Sequence, residues 1–149
     1  MSEEANEELK YTEFTVDGKT QAVEFVETTP VIPGVSCDVY RFVNDETKDL
    51  AIVTVQPAHT TPRQRVMAGM RTVEGYVSGQ GILSVQPVGD GHARQYVYGG
   101  SGDLHTQTSV EIDHGEVMQW MAAEGDTPLV FYELCEPPYE EGRFENLPD

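Results

Sequence analysis

Apolar and polar residues alternate with a period of two along most of this chain, the pattern of strands that bury one face. Residues 11–16 alternate and end at Asp17-Gly18, a dipeptide that supplies the positive φ angles of a tight hairpin turn. Residues 20–26 and 37–43 alternate likewise; Thr29-Pro30 and Pro33-Gly34 punctuate the link between them, and Asn44-Asp45 turns the chain afterwards. Residues 50–55 form a nearly continuous apolar strand. Residues 72–77 end at Ser78-Gly79-Gln80-Gly81, and 82–85 follow at once. Segments 95–98, 107–112, 116–121 and 129–134 complete the series. Nowhere does a long stretch repeat with the helical period; residues 63–70 admit a turn of helix, which Gly69 weakens. About ten short strands with frequent turn signals predict an all-β sandwich or barrel. Residues 1–9, charged and poor in apolar anchors, read as a disordered acidic tail; 10–138 read as the barrel domain and 139–149 as an acidic C-terminal tail.

Charge narrows the partners. The 149 residues suit one domain and carry 26 acidic against 9 basic side chains, a net charge of −17. Such a surface repels the phosphates of nucleic acids and the face of an anionic membrane, so neither is expected as a partner. No apolar run is long enough to cross a bilayer as a helix. The start MSEEANEELK lacks the basic and apolar regions of a secretory signal, which predicts a cytoplasmic protein. In that compartment Cys37 and Cys135 are expected as free thiols. The acidic excess has two readings: adaptation to a salty cytoplasm, where screening relieves self-repulsion, or an ordinary acidic protein with acidic ends.

A family resemblance sharpens the fold. The stretch Thr72-Val-Glu-Gly-Tyr-Val-Ser-Gly-Gln-Gly-Ile-Leu-Ser-Val85 resembles the central hairpin of the cupins, in which a strand ending in Tyr-Val runs into a Gly-x-Gly turn. Val110-Glu-Ile-Asp-His-Gly-Glu-Val117 resembles the family's second landmark, and residues 126–138 its final strand and proline-rich exit. The resemblance covers residues 50–138 in the right order and implies a jelly-roll β-barrel of antiparallel strands, with a homodimer paired through edge strands. Metal-binding cupins carry a His-x-His pair before the hairpin, then a glutamate, then a later histidine. Here the matching positions hold Arg63, Gln64, Arg65 and Thr72, and no histidine follows Gly115 in place. The resemblance therefore implies a barrel without a metal cofactor.

Candidate chemistry lies around the same hairpin. In a regular strand Thr72, Glu74 and Tyr76 share one face, and the resemblance turns that face into the barrel. Glu74 beside Tyr76 suits general acid–base work; the structural alternative is a carboxylate neutralised by an arginine. Three of the six arginines, Arg63, Arg65 and Arg71, fall within nine residues. Guanidinium forks fit carboxylates and phosphates, so Arg63, Gln64, Arg65 and Arg71 are candidate ligand-binding residues; the alternative is that the arginines offset acidic surface. Trp120 is the aromatic candidate for the pocket wall, with core packing as the alternative for it and for Tyr96, Tyr98, Met118 and Met121. His59, His92, His105 and His114 lack the spacing of a metal site; His59, before the Thr60-Thr61-Pro62 corner, is the candidate third catalytic residue.

The leading expectation is a barrel that binds a small anionic or hydroxylated organic ligand. Any chemistry would be metal-independent acid–base work of isomerase or epimerase type by Glu74, Tyr76 and His59, with Arg65 holding the substrate and pairing with Glu74. The alternatives are a metal-dependent cupin enzyme (oxygenase or isomerase) with atypical ligands, and a non-catalytic dimerising barrel.

Overall fold

A computed structural model describes residues 10–89, 91–99 and 108–148. The tail expected over 1–9, His105 and the first position of the strand expected over 107–112 lie outside the described residues. The strands are β1 (Glu13–Val16), β2 (Lys19–Ile32), β3 (Val35–Phe42), β4 (Asp45–Val55), β5 (Arg63–Val66), β6 (Arg71–Ser78), β7 (Gly81–Gln86), β8 (Arg94–Tyr98), β9 (Ser109–Glu111), β10 (Val117–Ala122), β11 (Leu129–Glu136) and β12 (Phe144–Leu147). They form two antiparallel sheets, ordered β1-β2-β3-β4-β11-β6-β9 and β12-β5-β10-β7-β8. The chain is an all-β jelly-roll barrel.

The central strands β4 and β11 of the larger sheet bury residues on both faces. Val53 and Val55 of β4 and Leu129 and Phe131 of β11 pack with Leu83, Val85 and Trp120 of the smaller sheet in an inter-sheet core. The alternate residues of the same strands, Leu50, Ile52, Tyr132 and Leu134, pack with Val16, Val23, Tyr40, Phe42 and Val73 in a second core. Burial on two faces explains why residues 50–55 read as a continuous apolar run rather than an alternation. Each fully buried Leu, Val or Phe side chain contributes roughly 1.5–3 kcal/mol, so the two cores hold the sheets together.

Two expectations are corrected. Arg63–Val66 is strand β5, not a turn of helix: β10 and β12 flank it and satisfy its backbone, and alternation sends Val66 into the core while Arg65 meets solvent. Residues 139–149 are not simply a tail. Phe144–Leu147 pairs with β5 as β12, because Phe144 packs on the inter-sheet core and Arg143 is 3% exposed. The acidic side chains Glu140, Glu141 and Glu145 stay in solvent. Among the described residues no helix is long and apolar enough to cross a membrane.

Candidate functional site

A cavity of about 600 Å³ opens at one end of the barrel. Its wall is built by strand alternation. Cys37 and Val39 of β3, Asp49, Ala51 and Val53 of β4, and Phe131, Glu133 and Cys135 of β11 are odd-numbered positions on one sheet face and all line it. Gln64 of β5 and Asn146 of β12 line the opposite side and bond to each other at 2.9 Å. Glu27, Thr29 and Val31 on the long second strand form a lip, and Tyr139 and Phe144 stand at the other edge.

The cavity's chemistry centres on two carboxyl groups. Glu133 faces Glu74 directly across the β11–β6 ladder. Glu74 is 1% exposed, and the Trp120 indole Nε1–H donates to its Oε1 at 2.9 Å. Its Oε2 is buried with no N–H or hydroxyl donor in reach. Two ionised carboxylates side by side in an apolar wall repel strongly. The arrangement is satisfied when Glu74 is protonated and its O–H donates to Glu133. Burial first, then the Glu133 charge and that hydrogen bond, hold Glu74 well above the ordinary carboxylate range. Burial, with the Asp49 charge adding to it, also holds Glu133 above its ordinary value, although the hydrogen bond from Glu74 and the Arg143 charge pull it down. Both carboxyls are thus pushed upward as a coupled pair, Glu74 the more strongly, and Glu133 is the member that lines the cavity.

Neighbouring groups are equally confined. Burial raises Asp49, although its Oδ2 accepts the Tyr139 backbone N–H at 3.0 Å. Burial pushes the Cys37 thiol up to about 12, with Glu133 adding to it, and pushes Cys135 up further, so neither is a nucleophile near neutrality. Behind the wall runs a ladder of stacked rings: Tyr76 on Tyr98 at 4.9 Å, Tyr98 on Trp120 at 5.7 Å and Trp120 on Phe131 at 4.4 Å. This ladder fixes the indole that anchors Glu74.

The residues singled out in the sequence fall in different places. Glu74 points into the barrel as expected, but behind Glu133 rather than on the open cavity. Tyr76 shares that face, yet its hydroxyl donates to the Gly79 carbonyl at 2.7 Å and its ring belongs to the stack. Trp120 is 1% exposed and stands behind Phe131. Gln64 lines the cavity. Arg63 donates to the Pro148 carbonyl at 3.2 Å, and Arg65 pairs with Glu145 at 2.9 Å on the exposed side of β5. The expected Arg65–Glu74 pair does not form, because alternation turns the two side chains to opposite sides of the wall. Arg71 bridges Asp17 and Glu111 at 2.8 and 2.7 Å, beside a separate outer groove. His59 is exposed, with Nδ1 2.9 Å from the Pro57 carbonyl oxygen and its ring against Gly34; it does not line the cavity.

Sequence reasoning missed Glu133, Asp49 and Arg143. Glu133 had a signal: it is the lone carboxylate inside the apolar run of residues 129–135. Arg143 donates to the carbonyls of Arg71, Glu136 and Pro137 and to the Thr72 hydroxyl, clamping the C-terminal segment to β6.

No family model matches the sequence, and no curated protein matches it. Solved structures do match. The capsular polysaccharide assembling protein CapF from Staphylococcus aureus superposes with a TM-score of 0.63 at 18% identity, over 85% of this chain and 34% of that one. Oxalate decarboxylase from Bacillus subtilis gives 0.60 at 22% identity, over 80% and 29%. The formate complex of Lactobacillus farciminis oxalate decarboxylase gives 0.61 at 17%, over 84% and 33%. The chain has the cupin fold. It spans about a third of the length of these cupin-fold proteins. At the positions where the sequence resemblance would place metal ligands, this barrel has a poor donor set. Arg63 and Arg65 cannot ligate and Gln64 is held by Asn146. The Thr72 hydroxyl is taken by Arg143. Among the described residues no three His, Cys, Asp or Glu side chains converge as a metal site.

Proposed function

We propose that the barrel binds a small hydroxylated organic ligand in its cavity, and that Glu133 with Glu74 performs acid–base chemistry on it without a metal. The carboxyl pair on the cavity wall carries this reading. An ionised Glu133 accepts a proton from the ligand, and the protonated Glu74 behind it keeps that carboxylate hydrogen-bonded and oriented. Glu133 can return the proton to a different face or neighbouring position, the event that isomerisation and epimerisation share. The roles expected of His59 and Arg65 pass to Glu133 and Gln64, the groups that line the cavity. An anionic ligand is the less supported half of the expectation, because no Lys, Arg or His is among the cavity-lining residues. The likeness to CapF, which is described as assembling a capsular polysaccharide, is in keeping with a hydroxylated ligand.

The test is proton exchange. A panel of aldoses and ketoses is incubated with the protein in heavy water and followed by NMR. Deuterium should enter at carbon next to a carbonyl, survive EDTA and vanish in Glu133→Gln. Exchange that EDTA abolishes, or that Glu133→Gln retains, would sink the proposal in favour of a metal-dependent cupin.

A second reading, a barrel that serves dimerisation, is favoured by β2. Val26, Val31 and Ile32 are 50%, 41% and 40% exposed, on a stretch that extends past the four-residue pairing with β1. Sedimentation showing a homodimer that Val31→Glu dissociates supports it; a monomer at all concentrations removes it.

A further inference from the structure

We propose that the ligand of this cavity carries a positively charged nitrogen: a hydroxylated amine rather than a neutral polyol. The proposal rests on the reading of the cavity as a small-molecule site. Its first support is the imbalance of charge in the wall. Glu133 and Asp49 stand on the β4–β11 wall and Glu27 on the lip, with no cationic side chain lining the space. None of the ion pairs among the described residues involves any of these three carboxylates.

The nearest cation does not remedy this. Arg143 acts on Glu133 and Asp49 through space, but its guanidinium is bonded to three backbone carbonyls and the Thr72 hydroxyl behind the wall. Held in that clamp, it does not line the cavity beside the two carboxyl groups. The lining carries three carboxyl groups and no ammonium, guanidinium or imidazole. An ammonium brings three donors and no acceptor, the complement of such a wall.

The remaining surface suits an organic cation rather than a bare ion. Phe131, Tyr139 and Phe144 put aromatic rings in the lining, a kind of group that attracts cations and repels anions. Val39, Ala51 and Val53 give the apolar contact that a carbon skeleton needs. The net charge of −17 draws cations toward a carboxylate-lined cleft and slows the approach of anions.

Three matched sugars test the inference on the intact protein at neutral pH: glucose, glucosamine and glucuronate, with affinities read by ligand-observed NMR titration. Glucosamine should bind at least about tenfold more tightly than glucose, and glucuronate not at all. Glu133→Gln should remove the preference, whereas Glu145→Gln, which deletes an exposed charge, should keep it. The second variant separates a site effect from general attraction to an acidic protein. Equal binding of glucose and glucosamine overturns the amine and leaves the small-molecule cavity standing. So does a glucosamine preference that Glu145→Gln removes as fully as Glu133→Gln does. Tightest binding by glucuronate overturns the amine and the neutral hydroxylated ligand together. Binding by none at high millimolar concentration overturns both readings.

Discussion

Replacing Glu74 by Gln should stabilise the protein at neutral pH, although Glu74 is 1% exposed and hydrogen-bonded. An amide reproduces the protonated acid: its carbonyl oxygen accepts the Trp120 N–H, and its N–H donates to Glu133. The exchange of groups by itself should therefore cost less than about 1 kcal/mol, since each hydrogen bond is replaced by one of similar net worth. The pH dependence differs sharply. Burial and Glu133 raise Glu74 well above the ordinary carboxylate range, so the fold holds a proton that the unfolded chain releases. Wherever the folded state binds more protons, stability falls as pH rises. One proton corresponds to about 1.4 kcal/mol per pH unit, beginning at the unfolded carboxylate value and ending where folded Glu74 ionises. The Gln variant lacks this loss. Between pH 5 and pH 7 it should gain up to about 2.7 kcal/mol relative to the parent protein, levelling off early only if Glu74 ionises within that range. Urea denaturation of both proteins at half-unit pH intervals gives the difference directly, provided the m-values agree. The net charge influences both proteins alike and cancels. A difference that stays flat across the range, or a Gln variant several kcal/mol less stable at pH 7, would refute a protonated Glu74.

Other substitutions separate structural from superficial groups. Arg65→Ala should cost less than about 1 kcal/mol by denaturant melts, because its pair with Glu145 is 41% and 49% exposed and screened by water. Arg143→Met should cost several kcal/mol in the same assay, since it strips donors from buried carbonyls; a loss under about 1 kcal/mol would contradict the clamp. Gly75→Ala should lower the thermal midpoint by an amount equivalent to about 1–3 kcal/mol, because a Cβ there would lie 2.0 Å from the Tyr132 ring. The midpoint of the parent protein should rise between low and high potassium chloride as the Debye length falls from about 10 Å to about 3 Å; a flat response would deny the acidic surface a part in stability.

How far the sequence discloses this protein depends on how local each signal is. Strands that bury one face announce themselves by alternation, and turns by Asp17-Gly18 or Gly79-Gln80-Gly81, so most of the barrel is legible. The inward direction of Glu74 follows from the same rule. Strand β5 is not legible, because Arg63-Gln64-Arg65-Val66 carries one apolar residue and owes its form to ladders from β10 and β12. The final strand hides within an acidic stretch, where Phe144 and Leu147 are its only apolar side chains. Charge pairing is the least legible feature. Nothing in the sequence distinguishes Glu145 as the partner of Arg65, or Glu133 as the neighbour of Glu74, because both depend on registers set by strands 59 or more residues apart. Arginines gathered in sequence are thus not gathered in space, because alternation and surface partners disperse them.

The proton shared by Glu74 and Glu133 is the claim on which the chemistry of the cavity depends, and carboxyl-carbon NMR of the protein labelled in glutamate observes it directly. One glutamate signal should keep the shift of a protonated acid from mildly acid to neutral pH and should be absent from Glu74→Gln. A spectrum in which every glutamate titrates in the ordinary carboxylate range would contradict the shared proton and remove the pair as an acid–base centre.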